Sequence, residues 1–135
     1  MKMLRALAMT AVTLVAAAAV PVVGQERSLA MLDRLDHGAW ELRFRGNDDG
    51  LRRICLMDGN DLIQLQHPRA KCSRIVIEDT PSEVTVQYTC TGKGYGRTNI
   101  RRESSRLIQI DSQGIANGLP FAFAAEARMV GSCGK

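Results

Sequence analysis

The sequence has few of the residues that acid–base catalysis and a large core require. Its 135 residues include two histidines, one tryptophan, two tyrosines and three phenylalanines. Histidine is the side chain whose ordinary pKa suits proton transfer near neutral pH, so His37 and His67 are the only candidates for that role. No serine stands in a Gly-x-Ser-x-Gly setting, which disfavours a serine nucleophile. These absences favour a non-enzymatic protein, and we predict no catalytic residue.

Metal-binding patterns are also missing. The four cysteines, Cys55, Cys72, Cys90 and Cys133, are separated by 17, 18 and 43 residues, without the Cys-x-x-Cys pair typical of zinc sites. Residues 58–61 begin like a calcium loop, but a leucine follows where an oxygen ligand is required and no glutamate stands at the twelfth place. We therefore predict no metal and no cofactor.

One long apolar run is present, and it lies at the N-terminus. Residues 6–23 carry no charge and follow two basic residues, as in an export signal. The small residues before Gln25 predict cleavage there, with residues 1–24 as the signal peptide and residues 25–135 as one small domain. The run is near the lower length limit for a membrane span, so an uncleaved anchor is the alternative. We expect a periplasmic or secreted protein that is not stably inserted in the membrane.

The signal also carries part of the positive charge. Lys2 and Arg5 leave with it, so 18 − 2 = 16 basic residues face 14 acidic ones and the net charge becomes +2. No block of basic residues remains, which argues against a nucleic-acid partner.

The remaining chain predicts a mainly β fold. Leucines at every third position after Ser28 indicate a short N-terminal helix that ends at Gly38. From there the apolar period is two, and turn residues recur at regular intervals. We expect a second short helix in the link at residues 58–71 and seven strands, at residues 40–44, 51–57, 73–78, 84–90, 97–103, 106–111 and 121–129. This pattern is typical of an antiparallel, strongly curved sheet or a partly closed barrel.

The alternation along the strands predicts which side chains form the core. We expect Trp40 to be mostly buried against the last strand, beside Phe123 or Ala125. On the third strand, Ile75 and Ile77 are expected on one face, the face shared by alternate residues of the fourth strand, namely Val84, Val86 and Tyr88.

Export implies an oxidising compartment, so the four cysteines are expected to form two disulfides. Cys72 and Cys90 flank one hairpin and are predicted to pair. The apolar alternation, however, places Cys72 opposite Thr89, so a one-residue bulge or a diagonal approach is needed.

The other predicted disulfide joins Cys55 to Cys133. It requires the link at residues 58–71 to cross over, so that the third strand runs in the same direction as the second. The last strand would then be antiparallel to the first, and the two could pair and close the sheet.

Five features together resemble a known family. They are Gly38-Ala39-Trp40-Glu41, Cys55-Leu56, Cys72, Cys90 and Gly131-Ser132-Cys133. In this order they resemble the bacterial exported domain family of unknown function numbered three-six-one-seven. The resemblance implies a small periplasmic β-domain with disulfides and no assigned activity. The Met- and Pro-rich insert common after the first strand of that family is replaced here by a tight turn at residues 46–50.

The loop at residues 92–96 is the most suggestive segment for binding. Its alternating glycines expose backbone N–H groups, and Lys93 and Arg97 are candidates to hold an anion while Tyr95 stacks on a ring. A phosphate-cradling loop normally leads into a helix, whereas a strand is expected here, so a plain connection between strands is the alternative.

Three functions are consistent with these patterns. The first is a binding or interaction module for a small apolar or anionic ligand, or for an envelope protein. It needs an open concavity lined by four rings, those of Trp40, Phe44, Phe121 and Phe123. The second is an envelope hydrolase that uses His37 or His67 beside a carboxylate or hydroxyl in a cleft. The third is a structural or stress-related envelope protein. The oligomeric state is left open.

Overall fold

The computed structural model describes residues 29–46 and 50–134 of the chain. They form one antiparallel sheet with the strand order β2-β1-β7-β6-β5-β4-β3. The strands are β1 (Gly38–Phe44), β2 (Leu51–Leu56), β3 (Ser73–Asp79), β4 (Glu83–Cys90), β5 (Gly94–Ser104), β6 (Leu107–Ala116) and β7 (Leu119–Gly131). The prediction of a mainly β fold with seven strands is confirmed. The predicted signal peptide lies outside the described residues.

The seven strands form one sheet that is not closed, so the alternative of a partly closed barrel is wrong. β1 pairs with β7 in antiparallel orientation, as predicted, and this joins the β1–β2 hairpin to the meander β3 to β7. Because all neighbours are antiparallel, β2 and β3 run in the same direction, which is the predicted crossover. The two strands nevertheless remain at opposite edges of the sheet. No helix in the described ranges is long and apolar enough to cross a membrane.

Both predicted helices are instead single 3-10 turns. The first spans Leu32–Arg34, with backbone hydrogen bonds from residue i+3 to residue i. A 3-10 helix has three residues per turn, so the spacing of Leu29, Leu32 and Leu35 places all three on one buried face. The three-residue leucine spacing therefore matches a 3-10 turn better than an α-helix.

The second 3-10 helix spans Gly59–Leu62 and is shorter than the sequence suggested. Its cap is Asp58, whose carboxylate accepts from the backbone N–H of Asn60 at 2.9 Å. This hydrogen bond, with a second from the Asn60 side chain, lowers the pKa of Asp58. Gly59 packs on Leu32, where an added Cβ would lie 2.6 Å from the leucine carbonyl oxygen. The two 3-10 helices are thus held in direct contact.

The core lies on one face of the sheet, here called the inner face. Trp40 is fully buried there, as predicted, and its indole N–H donates to the Asp36 carbonyl at 2.9 Å. The register places Met129 opposite Trp40, while Phe44 lies opposite Ala125 and beside Phe123. Trp40 thus packs against the last strand as predicted, but the predicted neighbours Phe123 and Ala125 are wrong, because they lie beside Phe44 instead.

The two disulfides join the predicted pairs. Cys55 of β2 is bonded to Cys133 after β7, with Cα atoms 5.4 Å apart, and Cys72 is bonded to Cys90 with Cα atoms 4.1 Å apart. The first bond ties the β2 edge to the chain end, and the second ties the crossover link to β4.

The face predicted for Ile75 and Ile77 is wrong. The register sets Ser73 opposite Thr89, which brings Cys72 level with Cys90 and turns Ile75 toward the outer face opposite Gln87. Ile75 is 65% exposed and Ile77 is 49% exposed. The bulge lies between residues 76 and 78 rather than beside Cys72. The disulfide therefore decides the register against the apolar alternation.

Candidate functional site

At the β2 edge a pocket of about 360 Å³ lies between Ile54 and the link residues Gln64 and Leu65, but elsewhere the described residues fill most of the inner face. Residues from the two 3-10 segments cover it, and their apolar side chains are buried against the sheet, including Met31, Leu62, Ile63 and Leu65. The Thr98 hydroxyl on β5 donates to the Ile63 carbonyl at 2.6 Å, which fixes the link to the sheet. Two of the four residues expected to line a cavity do not do so, since Trp40 is fully buried and the Phe44 ring packs edge to face on that of Phe123. Phe121 and Phe123 are instead among the residues that border the depression on the outer face described below.

His67 is a buried structural side chain at one end of this core. It is 5% exposed, and its Nδ1 lies 3.0 Å from the Tyr88 hydroxyl. Its Nε2 lies 3.2 Å from the Lys93 carbonyl and 3.1 Å from the Ile115 carbonyl. Carbonyls only accept, so Nε2 carries a proton, and in the neutral ring Nδ1 then accepts from the Tyr88 hydroxyl. Both ring nitrogens of His67 are thus hydrogen-bonded, and these bonds attach the link at residues 58–71 to β4, to the turn between β4 and β5 and to β6.

The alternating glycines of the suggestive segment serve this packing. An added Cβ on Gly94, where φ is +125°, would lie 1.9 Å from the Ile115 carbonyl oxygen and 2.9 Å from His67 Nε2. One on Gly96 would lie 2.5 Å from the Tyr88 hydroxyl. The glycines therefore let buried rings approach the backbone of β5, and the predicted loop is already strand from Gly94 onward.

The buried hydroxyl of Tyr88 is expected to make the free energy of unfolding decrease as the pH rises above 10. Burial raises its pKa to about 12 from an ordinary value of 10. Between those values the unfolded chain has lost the proton that the folded chain keeps, so the free energy of unfolding decreases by up to about 1.4 kcal/mol per pH unit. Urea unfolding of the wild type and of Tyr88→Phe between pH 9 and pH 12 measures this, and the phenylalanine variant is expected to lack this part of the decrease. Equal slopes in the two proteins would contradict the assignment.

His37 lies apart from His67 and does not form a site with it. It is exposed and lies near Asp58, whose pKa it helps to lower. Neither histidine lines the grooves described below, and His67 has a hydroxyl within reach but no cleft around it. The geometry thus offers no acid–base pair at an open surface in these grooves.

An open surface that can take a ligand lies on the outer face of β4 to β7. Four residues lie directly opposite one another across these strands: Gln87, Arg97, Gln113 and Ala122. The next row consists of Thr85, Asn99, Asp111 and Ala124. Alanine at two successive outward positions of β7 leaves a depression between the longer side chains of β5 and β6 and the arm of Arg45. We call this depression the outer groove.

The outer groove has two adjoining parts. One, of about 540 Å³, is bordered by Arg45, Arg97, Asn99 and Asp111, and the other, of about 380 Å³, by Gln87, Tyr95, Arg97 and Gln113. These volumes are within the range of small-molecule sites. Arg97 lies where the two parts meet, and Tyr95, 51% exposed, forms one end.

The groove is bordered by the exposed carboxylate of Asp111 as well as by the cation of Arg97. Within residues 29–46 and 50–134 the Arg97 guanidinium has neither a hydrogen bond nor an ion pair. Arg45, by contrast, donates to Gln109, which also donates to Glu103 and Glu126. The hydrogen bond from Gln109 and a second from Arg128 lower the pKa of Glu126. One arginine is thus held by neighbours while the other is available to an anion.

The structure separates the three residues predicted to contact a ligand. Tyr95 and Arg97 are alternate residues of β5 and both border the outer groove. Lys93 lies in the turn before β5, where its backbone N–H donates to Cys90, and it does not border the groove. Sequence reasoning missed Gln87, Asn99 and Gln113, because single polar residues on the outward face of a strand look like an ordinary solvated surface.

Comparison with known proteins adds no relative: no family model, curated protein or solved structure matches the chain.

Proposed function

We propose that this is an exported, non-enzymatic binding module of the bacterial envelope, related to the family numbered three-six-one-seven. The outer groove takes a compact anionic ligand with a planar ring. The single observation that carries the proposal is the unpaired Arg97 guanidinium between the two parts of the groove, next to the exposed ring of Tyr95.

The chemistry of the groove defines the ligand. A guanidinium presents a planar fork of donors that matches a carboxylate or phosphate, and a charge-assisted hydrogen bond of this kind is about twice as strong as a neutral one. Gln87 and Gln113 lie opposite Arg97 on either side and supply amide donors and acceptors. Tyr95 supplies an aromatic face, and Ala122 a flat apolar floor.

The export part of the proposal has separate support. Two disulfides require an oxidising compartment to persist, and they join all four cysteines of the chain. The apolar N-terminal run supplies a signal for reaching such a compartment. A hydrolase using His37 or His67 has less support, because one ring is enclosed by carbonyls and a tyrosine and the other lies outside the groove.

Benzoate is the probe for this proposal, followed by chemical-shift titration of the oxidised protein. We expect binding with a Kd of about 1 mM, which corresponds to roughly −4 kcal/mol. Benzamide has the same ring without the charge, and cyclohexanecarboxylate has the charge without the aromatic face. Both are expected to bind more weakly than benzoate.

Arg97→Gln is expected to weaken benzoate binding about tenfold, because it removes a charge-assisted hydrogen bond. Arg101→Gln is the matched control, since Arg101 is exposed on the same strand and the same face but does not border the groove. If the two variants bind benzoate equally, or if benzamide binds as well as benzoate, the groove is not an anion site.

A further inference from the structure

The strand β3 carries an unusual amount of exposed apolar surface for a sheet edge. Ile75, Val76 and Ile77 are consecutive and are 65%, 39% and 49% exposed. β3 pairs only with β4 in the described part of the chain, so its other side presents unpaired N–H and C=O groups. An exposed apolar edge of this kind is a template for pairing with another strand.

The charges along β3 identify the strand that fits it. Lys71 lies two residues before the strand and Arg74, whose guanidinium also donates to the Asn60 side chain, lies near its beginning, while the acidic residues Glu78 and Asp79 lie at its end. When two copies of β3 lie antiparallel, the basic end of each faces the acidic end of the other. A parallel arrangement would place like charges together.

From these observations we propose that the protein forms a two-fold symmetric dimer in which β3 of one copy pairs antiparallel with β3 of a second copy. Such an interface uses the same surface on both copies and therefore closes at two. The two seven-stranded sheets become continuous, and the apolar side chains of both edges cover one another. The bulge leaves Ile77 without an opposite residue on β4, so this side chain is available to the second copy.

Pairing of the β2 edge with β3 of another copy would not give a closed assembly. β2 carries Arg52 and Arg53 and an exposed Leu51. Pairing of β2 with β3 of another copy would be head to tail and would extend into a filament rather than end at two. The size of the assembly therefore distinguishes pairing of β3 with β3 from pairing of β2 with β3.

Sedimentation of the oxidised protein purified from the envelope tests the dimer over concentrations up to about 1 mM. We expect a concentration-dependent increase to the mass of two chains and no larger species. Ile75→Lys is expected to abolish the increase and leave a folded monomer, because this side chain is already largely exposed. Leu51→Lys is the matched control on the other edge and is expected to dimerise like the wild type. A monomer at every concentration, a filament, or loss of the dimer only in Leu51→Lys would each overturn the proposal.

A charge exchange tests the antiparallel orientation. One variant carries Lys71→Glu with Arg74→Glu, so both ends of its β3 are acidic, and the other carries Glu78→Lys with Asp79→Lys, so both ends are basic. Each variant alone is expected to stay monomeric, because the ends of β3 in one molecule repel the like-charged ends of β3 in a second molecule of the same variant. An equimolar mixture is expected to form a heterodimer, because each end then meets the opposite charge. Failure of the mixture to pair, while circular dichroism shows both variants folded, would contradict the orientation.

Discussion

Replacing Trp40 with alanine is expected to lower the free energy of unfolding by about 3–5 kcal/mol, the usual loss for a buried aromatic side chain. Among the described residues Trp40 is the largest fully buried side chain, and it lies on the inner face of β1, between β2 and β7. A small domain has about 5–15 kcal/mol of total stability, so the variant is expected to be only marginally folded.

Urea unfolding followed by circular dichroism measures this effect, with the disulfides kept oxidised. Tyr95→Ala is the matched control, because it removes an aromatic ring that is 51% exposed on the same sheet, and its cost is expected to stay below about 1 kcal/mol. Trp40→Phe is expected to retain most of the stability, because it keeps an aromatic ring at this position and loses only the hydrogen bond from the indole to the Asp36 carbonyl. A stability of Trp40→Ala near that of the wild type would contradict the assignment of the core.

Removing the disulfide between Cys55 and Cys133 is expected to lower the free energy of unfolding by about 4.5 kcal/mol, through the greater entropy of the unfolded chain. The bonded residues are 78 positions apart, against 18 for Cys72 and Cys90. The same relation gives about 3 kcal/mol for the shorter loop. Urea unfolding of Cys55→Ala/Cys133→Ala and of Cys72→Ala/Cys90→Ala, each compared with the wild type, measures both values.

Non-reducing peptide mapping provides the control for this experiment. The wild type must give linked peptides that contain Cys55 with Cys133 and Cys72 with Cys90. A peptide linking Cys55 to Cys72 would contradict both the connectivity and the crossover between β2 and β3. Unchanged stability without the longer-range bond would show that the β2 edge is held by other contacts.

The two disulfides also decide which surfaces remain for binding. The bond at Cys72 sets the β3 register that turns Ile75 outward, and thus creates the apolar edge proposed to pair with a second copy. The bond at Cys55 ties the opposite edge to the chain end. The β2 edge therefore carries Arg52 and Arg53 beside Leu51, whereas the β3 edge carries three consecutive exposed apolar residues between its charged ends.

The outer groove and the inner core are connected through the glycines of β5. Gly96 accommodates the Tyr88 hydroxyl on the inner side of the strand, while its neighbours Tyr95 and Arg97 point outward into the groove. The packing of His67 and Tyr88 thus holds rigid the strand that presents the two proposed ligand contacts. A site on a strand supported in this way is better ordered than one on a free loop.

The sequence by itself determined the strands, the burial of Trp40, the cysteine pairing and the crossover that the pairing requires. Those features depend on local periodicity and turn residues, together with the distance a short link can span. Only the tertiary structure decided the face of Ile75, the role of the glycines around Tyr95, the filling of the inner face and the outer groove. Periodicity states which residues of one strand share a face, but not how that strand is aligned with its neighbour. Alignment depends on contacts between residues far apart in the chain, here the Cys72–Cys90 bond and the ring of His67 against β5.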